Sequence, residues 1–445
     1  MTETVAPAAK LEQGLPATPF VGLMPYDEND APFFFGRSAE KSIVKANLRA
    51  ARLTVLYGPS GVGKSSLLLA GVVHDLRSQV VSTAEEKPDR APLAICVFRS
   101  WREESLPALM ETIRAAGMEA IGGEELPPWH PGDSVVESLD AWTQRVRTFL
   151  VVLDQFEDYF LYGHDEAGEG TFAEALPLIV NNENLRVNVL LSIREDAWAK
   201  LDRFEGQVTG LFENYIRVEH LTRKAAREAV EGPIAEWNRR LPESEEPYEI
   251  KDDLVTGVVD AAALGRLALA ETPEATPREA QTGLDAVEAP FLQLVMDRLW
   301  RATIDAGEHA LTMQRLHDLG GAQRIVETHL LGALGALSSE EQAIAAAAFR
   351  FLVTRSKTKI AHSAASLAEW LDRPESEVVP VLEKLCRGES GRILRAIAPP
   401  AGDTEGMRYE LYHDVLAEPI LEWRKQYEQE RARQELEARR REEER

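Results

Sequence analysis

Between an apolar run, Leu53-Thr54-Val55-Leu56-Tyr57, and a helical pattern opening at Ser66-Leu67-Leu68-Leu69-Ala70, the chain carries Gly58-Pro59-Ser60-Gly61-Val62-Gly63-Lys64-Ser65. No other stretch restricts the fold as much. The pattern GxxxxGK[ST] between a buried strand and a helix start is the context that a phosphate-binding loop requires. The glycines let backbone N–H groups turn inward around phosphate oxygens, and the helix N-terminus adds its dipole. Lys64 would then reach the β- and γ-phosphates of ATP or ADP. The Ser65 hydroxyl would ligate Mg²⁺, and Ser66 would follow it into the first helical turn.

Three further apolar runs alternate with helical patterns: Ala94–Phe98, Thr148–Leu153 and Val187–Ile193. Continuous apolar strands are buried on both faces, as in a parallel sheet. A doubly wound α/β domain is therefore expected over 19–220. Residues 1–18, rich in Ala, Pro and Thr, read as a disordered tail. A helical lid domain is expected over 221–335, with 263–284 as a flexible surface loop and Gly232-Pro233 as punctuation of a helix around Ala225–Val230. Over 336–423 the order is helix (Ser339–Leu352), two helical stretches (Ser366–Leu371, Glu375–Cys386) and a hairpin (Ile393–Ile397, Arg408–Tyr412). That order suggests a winged helix; an ordinary helical subdomain fits the pattern equally. Residues 424–445 are almost entirely Glu, Arg and Gln, with Glu435/Arg439 and Glu437/Arg441 at i,i+4. A solvated single helix, serving as a linker or handle, is expected there.

The run Val151-Val152-Leu153-Asp154-Gln155-Phe156-Glu157-Asp158 supplies the other half of a nucleotide site. Asp154 closes an apolar strand, where a carboxylate can hold the Mg²⁺ shell opposite Ser65. In many ATPases an acid directly after this Asp polarises the attacking water. Here the place is taken by Gln155, which can orient water and cannot take its proton. Glu157 or Asp158 would substitute if the turn points one inward; the competing reading is a solvated helix start. Slow hydrolysis follows from that sequence. Arg194, in Ile193-Arg194-Glu195-Asp196, ends the next strand and is placed to sense a γ-phosphate. A surface salt bridge to Glu195 or Asp196 is the alternative. In Tyr412-His413-Asp414, His413 is either a structural cap or a phosphate donor.

The formal charge of −24 over 445 residues argues against a dedicated nucleic-acid binder, whose surfaces are basic. Cys96 and Cys386, far apart in apolar settings, read as reduced core residues of a cytoplasmic protein. No stretch approaches the apolar length of a membrane span, and no secretion signal is visible.

Taken in order, Pro32-Phe33-Phe34-Phe35-Gly36-Arg37, GPSGVGKSS, LDQFED, SIRED, the EGPI segment at Glu231–Ile234, AP-FLQLVMDRLW at 289–300, Gly320-Gly321 and YHDVLAEPI at 412–420 resemble the STAND class of P-loop NTPases. The likeness is to the bacterial novel-STAND branch and spans roughly residues 20 to 425. It implies a nucleotide domain, a helical lid and a winged helix closing over the nucleotide. It implies Phe35, Gly36 and Arg37 near the adenine, Pro233 packed on the base, and His413 at the ADP β-phosphate. It further implies a signalling switch, closed with ADP, that opens with ATP and a protein trigger and assembles into a homo-oligomer. Bacterial stress, conflict or antiphage signalling is the expected setting, with an effector reached through the C-terminal helix. Sensor repeats and an effector domain are not recognisable. The alternative is a DNA-associated AAA+ ATPase of the initiator or loader kind. That reading needs a basic recognition helix, and the candidate after Arg373 sets Glu375, Glu377 and Glu383 against Lys384 and Arg387.

Overall fold

The four apolar runs become neighbouring parallel strands: β1 (Leu53–Gly58), β2 (Leu93–Phe98), β3 (Thr148–Leu153) and β4 (Val187–Arg194). A short fifth strand, β5 (Tyr215–Arg217), completes a sheet in the order β2-β3-β4-β1-β5, parallel throughout. The structure, a computed structural model of the chain, describes residues 15–86, 92–101, 105–162, 168, 170–267, 286–354, 359–387, 393–397, 407–412 and 416–443. Residues 1–14 of the expected tail, 268–284 of the expected loop, and His413 with Asp414 lie outside them.

The chain packs into two compact units. One comprises 26–28, 37–220 and 327–445; the other comprises 1–25, 29–36 and 221–326. In the first, β3 and β4 are buried along almost their whole length, which is why they read as unbroken apolar runs. Asn188 is one polar exception in β4. Its amide nitrogen donates to the carbonyls of Leu48 (3.0 Å) and Arg49 (3.1 Å), so this buried polar group closes the helix Ser38–Ala50 onto the sheet. Cys96 of β2 is buried, and burial pushes its thiol up to about 12, leaving an inert core group. The helix after the first loop starts at Lys64 and widens into π register over Leu67–Val73, all seven residues being buried.

The same unit contains a C-terminal module. Three helices, Ser339–Leu352, Ala364–Leu371 and Glu375–Arg387, precede a hairpin of β11 (Leu394–Ile397) and β12 (Arg408–Leu411). A two-residue strand, β10 (His362–Ser363), pairs with the other side of β12, and was not visible in the sequence. The first helix opens with a capping box, Ser338 with Glu341, which fixes its start. The terminal helix runs Ala417–Glu443, beginning earlier than expected because Leu416, Ala417 and Ile420 are buried and Trp423 packs on Phe349. Pairs such as Arg433 with Glu430, and the half-buried Arg424 with Glu428, line the helix beyond that contact. The side chains of Glu435, Arg439 and Arg441 are outside the described set.

The second unit is mainly helical: Arg223–Arg240, Asp252–Leu267, Ala289–Asp305 and Met313–Asp318. Four two-residue strands tie it together, β6 (Leu221–Thr222) with β8 (Ala286–Val287), and β7 (Glu249–Ile250) with β9 (Ala310–Leu311). Phe20, Phe33, Trp237 and Trp300 form its aromatic centre, with Trp237 and Trp300 ring centroids 5.0 Å apart. Two expectations are corrected here. Gly232-Pro233 does not end a helix, which continues to Arg240. A proline sacrifices one backbone hydrogen bond, but Ala226, Ala229, Val230, Pro233, Ile234 and Trp237 form one buried stripe that holds the helix together across it. Residues 263–267 likewise continue a helix and are not loop.

Gly36 of this unit has φ +84°, and a Cβ on it would sit 2.3 Å from the Ala225 carbonyl oxygen. Gly36→Ala therefore combines left-handed strain with a backbone clash, and should lower stability by about 2–4 kcal/mol in urea unfolding of the nucleotide-free protein. An unchanged unfolding midpoint would refute this account of the Phe35-Gly36-Arg37 turn.

Candidate nucleotide site

In parallel α/β sheets, ligands bind beyond the carboxyl ends of the strands, and here three strand ends meet. Gly58 of β1 lies abreast of Arg194 of β4, and Leu153 of β3 lies abreast of Leu191, so Asp154 follows on the same edge. The loop from Gly58 to Ser65 turns at Gly61 (φ +74°) and Gly63 (φ +95°), conformations that L side chains rarely adopt. A Cβ at Gly58 would meet the Val218 carbonyl oxygen at 2.4 Å, because the strand pair β1–β5 draws Val218 against the loop's root. Val62 is buried, and its carbonyl accepts from Arg37 Nη2 at 3.0 Å, which places Arg37 against the loop. Ser66 Oγ accepts the Tyr26 amide at 3.1 Å, so that hydroxyl supports the chain before the loop; Ser65, half-buried, precedes it.

Lys64 is buried, and its ammonium donates to the carbonyls of Gly58 (2.8 Å) and Pro59 (3.0 Å). Burial lowers its pKa, against the attraction of Glu157. The cation is thus held inside its own loop, at the point around which phosphate oxygens would gather.

Asp154 is 1% exposed. Its Oδ2 accepts from Arg99 Nε (2.9 Å) and Nη2 (2.6 Å), and its carbonyl accepts from the Trp101 indole at 2.8 Å. Arg99 was missed in the sequence. The available signal was position: it follows β2, whose end lies beside that of β3.

The turn after Asp154 is decided by Phe156. Its fully buried ring meets Trp101 (5.1 Å), Tyr159 (5.3 Å), Phe172 (5.8 Å) and Phe204 (6.2 Å). With that ring pinned, Gln155 takes the left-handed conformation, φ +56°, and its side chain is exposed. Glu157 comes out on the inner side, so the solvated reading of this residue is overturned. Its Oε2 accepts the Arg194 backbone N–H at 3.2 Å. Burial raises its carboxyl to about 7, opposed by the nearby charge of Lys64. A carboxyl titrating near neutrality beside a phosphate loop has the proton affinity that a general base needs. Asp158 is half-buried in the same turn.

Arg194 makes the salt bridge to Asp196 that was the alternative reading, and adds a second one. It does pair with Asp196, through Nε (2.9 Å) and Nη2 (2.6 Å), and Nη1 reaches Glu410 of β12 at 3.1 Å. Burial works against its charge, but Glu410 and Asp196 more than offset this and raise its pKa. Phe35 and Pro233 belong to the other unit, where the Phe35 ring lies against Gly232. His413 is outside the described residues. Among the described residues no group of three or more His, Cys, Asp or Glu is placed to hold a metal ion. No described helix is long and apolar enough to cross a membrane.

A glycine-turned loop on a parallel sheet, with a buried lysine and a strand-end carboxylate beside it, defines a P-loop α/β NTPase fold. The chain belongs to the novel STAND NTPases: the family model described as Novel STAND NTPase 1 matches residues 19–445. It is accordingly a member of a family of nucleotide-binding, nucleoside-triphosphate-hydrolysing proteins. Among curated proteins, none matches the sequence significantly. Similar solved structures include the Aeropyrum pernix ORC1 protein in complex with DNA (17% identity, TM-score 0.43, 87% of this chain and 93% of that one). They also include the Aeropyrum pernix ORC2 protein in ADPNP–ADP complexes (14%, 0.43, 89% and 94%) and Cdc6p from Pyrobaculum aerophilum (14%, 0.38, 88% and 94%). Likenesses this distant carry no argument about what this chain binds.

Proposed function

We propose that the protein is an ATP/ADP-gated switch: closed with ADP, opened by ATP to assemble with copies of itself, and reset by slow hydrolysis. The observation that carries this reading is the Arg194–Glu410 pair. It joins the residue abreast of Gly58 to the C-terminal module, so the contact that a γ-phosphate would compete for is also one that holds the module to the site. A ligand shifts a conformational equilibrium only through contacts that differ between the states, and this pair supplies one.

In this reading Lys64 neutralises the phosphates, and Glu157 accepts a proton from water as its oxygen bonds to the γ-phosphorus. The bond to the β-phosphate oxygen then breaks, giving ADP and phosphate. The Ser65 hydroxyl and Asp154 would hold Mg²⁺, which takes oxygen ligands and usually one or two carboxylates, and when bound neutralises phosphate charge. Asp154 is suited to it as a buried strand-end carboxylate with both Arg99 hydrogen bonds on one oxygen. By the family resemblance the helical unit would take the part of a lid and the 336–423 module that of a winged helix, with Phe35, Gly36, Arg37, Pro233 and His413 as nucleotide-binding residues. Bacterial stress, conflict or antiphage signalling, with an effector reached through the terminal helix, completes the reading.

The DNA-associated alternative gains nothing from the 375–387 helix. Lys384 pairs with Glu341, and Arg373, just before the helix, with Glu340 and Glu377, so these two cations are already engaged. The test is the nucleotide extracted from the purified protein, together with its mass in solution with ADP and with a non-hydrolysable ATP analogue. Copurified ADP, a monomer with ADP and a larger species with the analogue are expected. Rapid hydrolysis by a monomer without any trigger would sink the proposal.

A further inference from the structure

Three polar side chains of β4, Asn188, Ser192 and Arg194, share one face of the sheet, because Val189, Leu191 and Ile193 pack into the core on the other face with Val151 and Leu153 of β3. Two of the three are paired. Asn188 donates to carbonyls of the helix Ser38–Ala50, and Arg194 bonds Asp196 and Glu410. Ser192 is 1% exposed, and its Oγ has no hydrogen-bond partner among the described residues. Such a hydroxyl carries its desolvation cost uncompensated, and its place in the fold shows what would compensate it. Leu153 and Leu191 are abreast, and Asp154 still donates its N–H to the Phe98 carbonyl at 3.0 Å. The ladder thus carries on by one residue and sets Asp154 beside Ser192 on the same face. On its other side Ser192 is abreast of Leu56, two residues before Gly58, where the phosphate loop starts. Neighbouring strands lie about 4.8 Å apart, a spacing at which two such side chains can share one water. Both Arg99 hydrogen bonds fall on Asp154 Oδ2, which leaves Oδ1 outside that contact.

We propose that Ser192 is a positioning residue of the Mg²⁺ site, and that its hydroxyl and Asp154 together hold a water that arrives with the metal. The inference rests on the Mg²⁺ role proposed for Asp154 and adds a residue to it. Mg²⁺ dehydrates reluctantly and keeps several waters when one or two protein oxygens bind it. Each such water needs acceptors for its protons, and a serine hydroxyl and a carboxylate both supply them. Partners of this outer kind fix the orientation of a metal's ligands, and their loss weakens metal affinity. Ser65 and Asp154 would hold the ion, and Ser192 the water beside Asp154. The hydroxyl therefore works against the free protein and in favour of the loaded one. A serine retained for packing or for a hydrogen bond within the fold would show neither sign.

The experiment takes two readings on the full chain, for wild type, Ser192→Ala, Ser192→Cys and Ser192→Thr. One is the melting temperature of the nucleotide-free protein in EDTA. The other is the calorimetric affinity for AMP-PNP with and without Mg²⁺, so that no turnover enters. Free Ser192→Ala should melt at or above wild type, because it loses an unpartnered buried hydroxyl. Its affinity for Mg-AMP-PNP should fall about tenfold, while that for metal-free AMP-PNP stays within about twofold. Ser192→Cys, close in size but a poor hydrogen-bonding group, should follow Ser192→Ala. Ser192→Thr, which keeps the hydroxyl, should keep the effect of Mg²⁺; should its extra methyl prevent folding, the Ala and Cys variants decide. An unchanged Mg²⁺ effect in Ser192→Ala, or a free variant that melts clearly below wild type, overturns the inference and leaves the proposed function standing. Wild type whose AMP-PNP affinity does not depend on Mg²⁺ overturns the inference together with the metal role of Asp154.

Discussion

Glu157→Gln should lower the rate of ATP hydrolysis by about 10²–10⁴-fold, the usual contribution of a positioned general base, while nucleotide affinity stays within about threefold of wild type. The substitution keeps the size of the side chain and an oxygen that can accept the Arg194 amide, so the turn is preserved and only the proton acceptor is lost. The pH dependence carries a second signature. With its carboxyl at about 7, Glu157 is largely protonated below neutrality and unable to act as a base. The wild-type kcat/KM, which reports the free enzyme, should therefore rise with pH through about 7 and level off above it. In Glu157→Gln that limb should vanish. Hydrolysis that keeps both its rate and its acidic limb in the variant would remove Glu157 from the chemistry and return attention to Asp158.

Lys64→Ala should abolish nucleotide binding at ordinary concentrations, with affinity for ATP and ADP both reduced about 100-fold, since a lost charge-assisted contact in a dry loop is worth about 3 kcal/mol. The nucleotide-free protein should survive the change. Its Lys64 ammonium is buried against two loop carbonyls and its pKa is pulled down, signs that burial opposes its charge before any phosphate arrives. The melting temperature of the free variant should match or exceed that of wild type, and added Mg-ATP should no longer raise it. A variant that still melts higher with ATP would show that the phosphates are held elsewhere.

The contrast between these two residues lies in how far each depends on distant parts of the chain. Lys64 could be assigned from eight consecutive residues, because a phosphate loop is local: its glycines, its lysine and the helix behind it are neighbours in the chain. The buried strands were readable for a similar reason, as continuous apolar runs are what a sheet covered on both faces demands. Even the capped helix at Ser339–Leu352 was fixed by its own residues.

Glu157 was undecidable because its direction is set by Phe156. That ring is held by Trp101, Tyr159, Phe172 and Phe204, three of which come from distant segments. Arg99 escaped notice because only the alignment of β2 beside β3 brings it to Asp154. Pro233 misled for the same reason in reverse, since a local rule for ending helices lost to a buried stripe formed by the rest of its unit. Glu410 carries no motif at all. By itself, then, the sequence determined the phosphate loop, the parallel α/β fold and the family, since these depend on short-range geometry and unbroken apolar runs. The tertiary structure decided which carboxylate faces the loop and which one holds Arg194. Those outcomes depend on burial and charge contributed by segments up to 216 residues apart, and neither is written in any local stretch.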